Sequence, residues 1–221
     1  MIAVAAVALS LASAPAAAHH VGTYTARDNE ISQNFKQLKF AIQARKLDVA
    51  VRLFDEGAVR REMRARAAQL PAGLETTTRT ALGAGDAPRA EAGLALLFAA
   101  LARDLAAEAQ TKVADPSASA DARRATANRF LEAIWRYWNL IDFVVSQRDP
   151  KAGTAMRLAF DEAETLARGT ASPAAGNPCA GPRPATGRPA DPARLARPFT
   201  EIGRVLGGVV ETLNSVTRRE S

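Results

Sequence analysis

DARRATANRFLEAIWRYWNLIDFVVSQR, residues 121–148, holds both tryptophans, one of the two tyrosines and two of the eight phenylalanines of a chain poor in aromatics. On a wheel of about 100° per residue, Phe130, Leu131, Ile134, Trp135, Tyr137, Trp138, Ile141, Val144 and Val145 fill an arc wider than one neighbouring helix can cover. The stretch therefore reads as the central helix of an all-α protein, with the rest packed around it. Asp142 falls inside that arc, between Trp135 and the Leu131/Trp138 pair, and Asn128, Glu132, Asn139 and Ser146 run along its edge. A carboxylate in such a place needs a partner, because burial without one is costly or raises its pKa. Two readings follow. Glu132, Asn139 and Asp142 line a ligand-binding groove that Trp135 and Trp138 close. Alternatively, both acids pair with arginines, Arg136 standing four residues after Glu132 for an intrahelical bridge.

Working outward, the remaining segments also carry helical periodicity. Upstream, Asp28 offers an N-cap to a helix reaching about residue 45, with Ile31, Phe35, Leu38 and Ile42 on one face. A short helix over 48–56 stops at Gly57, and a basic one over 58–69 ends near Pro71. Its arginines, Arg60, Arg61, Arg64 and Arg66, spread around the wheel and read as a solvated surface. Residues 74–82 form one more short helix before a long one over 88–113, whose seam is Leu94, Leu97, Phe98, Leu101 and Leu105. Downstream, 151–168 turns Met156, Ala159, Phe160, Ala163 and Ala167 inward, and its Asp161, Glu162 and Glu164 read as a solvated acidic surface. Short connections make neighbours antiparallel. The expectation is an antiparallel bundle of five to six helices over 29–168, preceded by a polar lead-in over 19–28.

Two segments forty residues apart share small and apolar positions, Ala41, Ile42, Ala44 and Ala50 matching Ala81, Leu82, Ala84 and Ala90. This hints at duplicated helical hairpins, although alanine is common enough here for coincidence to give the same match. The stretch AIQARKLDVAVRLFDEG, residues 41–57, resembles a tetratricopeptide-type hairpin over under a tenth of the chain.

From 169 to 191 proline and glycine take over, and no core can form from such a sequence; it reads as a linker. The only cysteine, Cys179, lies there and reads as a surface thiol, so no internal disulfide is available. The tail over 192–221 reads as an amphipathic helix. Phe199, Ile202, Leu206, Val209, Leu213 and Val216 alternate spacings of three and four, a seam for a single partner helix, docked either in cis or in trans. Gly203, Gly207 and Gly208 weaken it by roughly 1 kcal/mol each relative to alanine, so it should order only when docked.

The first eighteen residues, MIAVAAVALSLASAPAAA, are apolar and offer small-residue cleavage sites after Ala16 and Ala18. They read as a secretory signal peptide lacking the usual basic start, which places the protein in the periplasm or outside the cell. No later segment is long and apolar enough to span a membrane. The net charge of +6 is carried by dispersed arginines without interleaved aromatics, which argues against nucleic acid as partner. Catalytic motifs of the familiar kinds do not occur in the sequence, and the two histidines, His19 and His20, stand together at the processed amino terminus. A free amine beside two imidazoles can chelate a copper, nickel or zinc ion. With no histidine inside any helical segment, a carboxylate-bridged di-metal bundle is not expected. The sequence thus points to an exported, non-catalytic helical protein binding an envelope protein or small-molecule ligand. A periplasmic metal-handling accessory is the alternative.

Overall fold

The computed structural model describes residues 27–168 and 191–218, and His19, His20, Cys179, the apolar opening segment and most of the Pro/Gly-rich stretch lie outside them. Among the described residues the protein is all-helical. Eight helices follow in order: α1 (Glu30–Gln43), α2 (Leu47–Glu56), α3 (Ala58–Ala65), α4 (Leu74–Ala84), α5 (Ala87–Val113), α6 (Ala120–Arg148), α7 (Pro150–Arg168) and α8 (Pro192–Arg218). The expected five or six helices before the linker are thus seven, because the short amino-terminal pieces each close with their own cap. The cap of α1 is Asn29 rather than Asp28: Ser32 N–H donates to Asn29 Oδ1 and Asn29 N–H donates to Ser32 Oγ, each at 2.9 Å. Asp86 and Ser119 cap α5 and α6 with one bond each, their side chains accepting from Arg89 N–H and Ala122 N–H.

The centre of the molecule is α5, not the aromatic α6. Every residue in 92–102 is buried, and α5 packs against α1, α4, α6 and α8. A helix apolar on all sides has no preferred face to bury, so it needs partners all around. Alanine and glycine let those partners come close. A Cβ on Gly93 would sit 2.3 Å from Thr78 Oγ1 of α4, whose hydroxyl donates to Leu74 O at 2.8 Å.

Helices α5, α6, α7 and α8 form a ring in which each packs on two neighbours. Phe98 stacks near Tyr137 (centroids 5.6 Å apart) while the α5–α6 loop is held by Arg123, which donates to Asp115 O at 3.2 Å and to Ala118 O. These two contacts make α5 and α6 antiparallel. Trp135 against Phe160 and Ser146 opposite Gly153 do the same for α6 and α7. Helix α8 therefore docks in cis, between α5 and α7. Its buried face is broader than a two-helix seam, since Leu195, Val205 and Val210 join Phe199, Ile202, Leu206, Val209 and Leu213. Val216 is only half-buried and Thr217 takes its place, a shift that follows from serving two neighbours instead of one.

The amino-terminal layer, α1–α4, leans on α5 and α6, with Phe35 on Phe98 at 4.6 Å. Asn34 clamps the break between α2 and α3: its Nδ2 donates to Leu53 O at 3.0 Å, and Val59 N–H donates to its Oδ1 at 3.0 Å. The α3 arginines are not all solvated. Arg60 bonds both Asp55 and Glu75 and lies over the Phe54 ring, joining α2, α3 and α4, whereas Arg61 and Arg64 are exposed.

Close packing at Gly93 and open space at Gly208 make opposite predictions for the same substitution. Gly93→Ala is expected to destabilise by about 1–3 kcal/mol through overpacking. Gly208→Ala, whose Cβ meets nothing within 4 Å, should stabilise by about 0.5–1 kcal/mol through helix propensity. Urea unfolding of both variants checks the pair, and equal effects would contradict the packing described.

Candidate functional site

Helix α6 has a buried core stripe flanked by two edges, and α7 closes one of them. Of the residues the periodicity singles out, Trp135 and Asp142 lie along that closed edge. Trp138 is wholly buried in the core, and Trp135 is half-buried with its edge against Phe160 at 5.5 Å. Asp142 is half-buried, accepts the Ser146 hydroxyl at 2.9 Å and faces Arg157 of α7 at 3.5 Å. Glu132 pairs loosely with Arg136 at 3.8 Å, and Asn139 is exposed. The two acids thus meet arginines, one on their own helix and one on a neighbour. Gly153 is required beside them, since a Cβ there would lie 2.4 Å from Ser146 Oγ. The structure scatters the five residues between core, interface and solvent.

The opposite edge of α6 opens on a cleft of about 210 Å³ against α5. Leu101 and Leu105 form its apolar floor, Ala133 and Tyr137 its α6 wall, and Arg66, Asp104, Glu108 and Arg136 its charged rim. Arg66 is tied to Glu62 and reaches Asp104 at 3.5 Å, and Asp104 also holds Arg103 at 2.8 Å. Tyr137 accepts a hydrogen bond from Asn29 Nδ2 at 2.9 Å, so the α1 cap positions the ring. Arg136 differs from its neighbours. Its side chain is only 23% exposed, its one ion pair is long, and its Nε is buried without a hydrogen-bond partner. A guanidinium N–H so placed is a strong donor left unused. Arg136 also helps hold the Asp28 carboxyl below the ordinary carboxylate range, the larger cause being the hydrogen bond from Lys36.

Chemically the cleft offers two cations, two anions and a phenol above an aliphatic floor. It suits a small molecule carrying both signs of charge. No group of three or more His, Cys, Asp or Glu able to hold a metal occurs among the described residues, and His19 and His20 lie outside them. Periodicity missed the cleft because its residues come from three separate elements. The available signal was Arg136 beside Tyr137 on the second flank of the same arc.

Glu164 is the other residue the sequence hid. The FDEAETL acids do not share one solvated surface: Asp161 is exposed, while Glu164 is 4% exposed, bonded to Arg168 through one oxygen and without a partner on Oε1. Burial pushes its carboxyl above the ordinary range despite Arg168. A raised acid binds its proton more tightly when folded, so its favourable contribution is complete below the unfolded pKa and disappears as pH rises through the folded one. Glu164→Met is accordingly expected to stabilise the protein by about 1 kcal/mol at pH 7. The gain should shrink as the pH is lowered toward 4.5. Thermal melts of the two proteins across that range check this, and a gain that grows on acidification would refute it.

No protein-family model, no curated protein and no solved structure matches this chain significantly.

Proposed function

We propose that the chain is an exported, non-catalytic binding protein of the cell envelope, and that its ligand is a small molecule bearing a carboxylate and an ammonium group, held in the α5–α6 cleft. The observation that carries this reading is Arg136, a half-buried guanidinium with an unused Nε on the rim of that cleft. A guanidinium fork recognises a carboxylate through two parallel hydrogen bonds, which an ammonium side chain cannot reproduce. Glu108, exposed and outside any ion pair among the described residues, is the natural partner for an ammonium group. The apolar opening segment supports export. No described helix is long and apolar enough to cross a membrane.

Calorimetric titration with a panel of free amino acids, and with matched acids and amines carrying a single charge, tests the assignment. Zwitterions should bind and the single-charge controls should bind more weakly. Arg136→Lys should weaken binding by about tenfold while leaving the fold intact. A panel in which no zwitterion binds, or in which Arg136→Lys binds as well as the parent, removes the cleft as the site. The second reading, a metal-handling accessory, is supported by the His19-His20 pair of the sequence alone. Titrating processed protein with copper, nickel and zinc tests it, binding no tighter than that of an amino-terminal control peptide being the negative outcome.

A further inference from the structure

The corner where α1 turns into α2 carries features that the ligand cleft does not use. Phe40 is 69% exposed, the most of the large hydrophobic side chains among the described residues. It shares the outer face of α1 with Lys36, Lys39 and Gln43, at helical spacings of three and four. Arg45 and Lys46 follow at the turn, and Arg52 stands on α2 beside an open groove whose floor includes Val49 and Leu53. Lys39, Arg45, Lys46 and Arg52 form no ion pair among the described residues, unlike Lys36, which holds Asp28 at 2.7 Å. The acids on the same corner are Asp48 and Glu56, both exposed, so cations outnumber anions there.

Arg45 adds an independent observation. Its φ is 57°, in the left-handed region, and it is the only non-glycine residue with positive φ among those described. The turn is a helix-ending motif: Lys46 N–H donates to Ala41 O and Arg45 N–H to Ile42 O, each at 2.9 Å. The end of α4 is closed by the same pair of bonds, Asp86 to Ala81 and Gly85 to Leu82, with glycine at the left-handed position. An arginine therefore stands where the equivalent turn, forty residues later, has the residue that fits without strain. Backbone strain retained at an exposed position points to a use for the side chain.

We propose that the α1–α2 corner docks on an anionic lipid surface. Phe40 enters the headgroup layer, and Lys39, Arg45, Lys46 and Arg52 meet lipid phosphates. Unpaired cations around one exposed aromatic match a broad, negatively charged plane. Single-stranded nucleic acid would instead call for a groove of cations with several stacking aromatics, and this corner has one ring.

Flotation of the full chain with vesicles tests the assignment. Binding is expected to vesicles of phosphatidylcholine mixed with phosphatidylglycerol, not to phosphatidylcholine alone, and to be lost between about 0.1 M and about 1 M salt. Phe40→Ser should weaken it several-fold, and removing Arg45 and Lys46 together roughly tenfold. Arg45→Gly separates docking from folding damage, because it should raise the melting temperature while lowering vesicle binding. The proposal is overturned if anionic vesicles do not float the protein, or if neutral ones do so equally. It also falls if binding survives combined substitution of Phe40, Arg45 and Lys46, which would assign attachment to the apolar segment 1–18. Preference for a single-stranded oligonucleotide over anionic vesicles would assign the corner to nucleic acid instead. These outcomes are independent of whether the α5–α6 cleft binds a zwitterion.

Discussion

A run of eleven residues, 92–102, with no solvent-facing side imposes the arrangement of everything around it. An amphipathic helix can rest on one neighbour, but a helix buried all round must be covered from every direction before its apolar surface is removed from water. Four partners share that cover, and α8 provides much of it despite lying beyond the Pro/Gly-rich stretch in sequence. The dependence runs both ways. With three glycines and an internal proline, α8 has little helical stability of its own, so its order derives from the face it buries on α5 and α7. Gly203 sits where α5 approaches, a Cβ there meeting Ala106 at an ordinary 3.9 Å, whereas Gly207 and Gly208 border open space.

Close packing leaves few places for polar groups, and their partners are mostly local. Ser32 completes a helix cap, Thr78 returns its hydroxyl to its own helix, and Asn34 satisfies one carbonyl and one N–H at the α2–α3 break. Ser32 and Asn34 satisfy backbone groups that the helix ends leave open, whereas the Thr78 hydroxyl shares a carbonyl already inside the α4 ladder. Glu164 breaks the pattern because only one of its oxygens is engaged. Arg136 breaks it from the donor side, at the rim of a cleft instead of inside the bundle. These unmet groups are what the fold leaves over, since the satisfied ones are accounted for by it.

The helices themselves were legible because caps and breakers are local. The Asp115-Pro116 step and Asp149-Pro150 mark ends that depend on a few adjacent residues, whereas α3 stops at Ala65, well before the Pro71 that the sequence offers as its end. The shape of the core was less legible. In α5 the leucines suggest a seam, yet the alanines between them are equally buried, and periodicity cannot distinguish a helix with one apolar face from one buried throughout when small residues fill the gaps. On α6 the wheel located an arc with two flanks but carried no information on which flank a neighbour would cover. Trp135 and Asp142 fell on the side that α7 closes, and Arg136 and Tyr137 on the side facing the cleft. Glu164 looked like a surface acid for the same reason: its burial is decided by helices remote in sequence.

The two equivalent turns show how far the fold dictates residue choice. Ala41 and Ile42 correspond to Ala81 and Leu82, Ala50 corresponds to Ala90, and all six are buried. The shared apolar positions thus serve the same local geometry, a helix ending on a left-handed residue and reversing into the next. At Gly85 a side chain would be crowded as well as strained, because a Cβ would approach Leu47 to 3.0 Å. Arg45 faces solvent, so the cost there is the intrinsic one of a left-handed backbone alone. Packing therefore adds to the preference for glycine at one turn, and at the other the backbone alone sets it. What the second turn carries is decided outside the core, by whatever meets that corner of the surface.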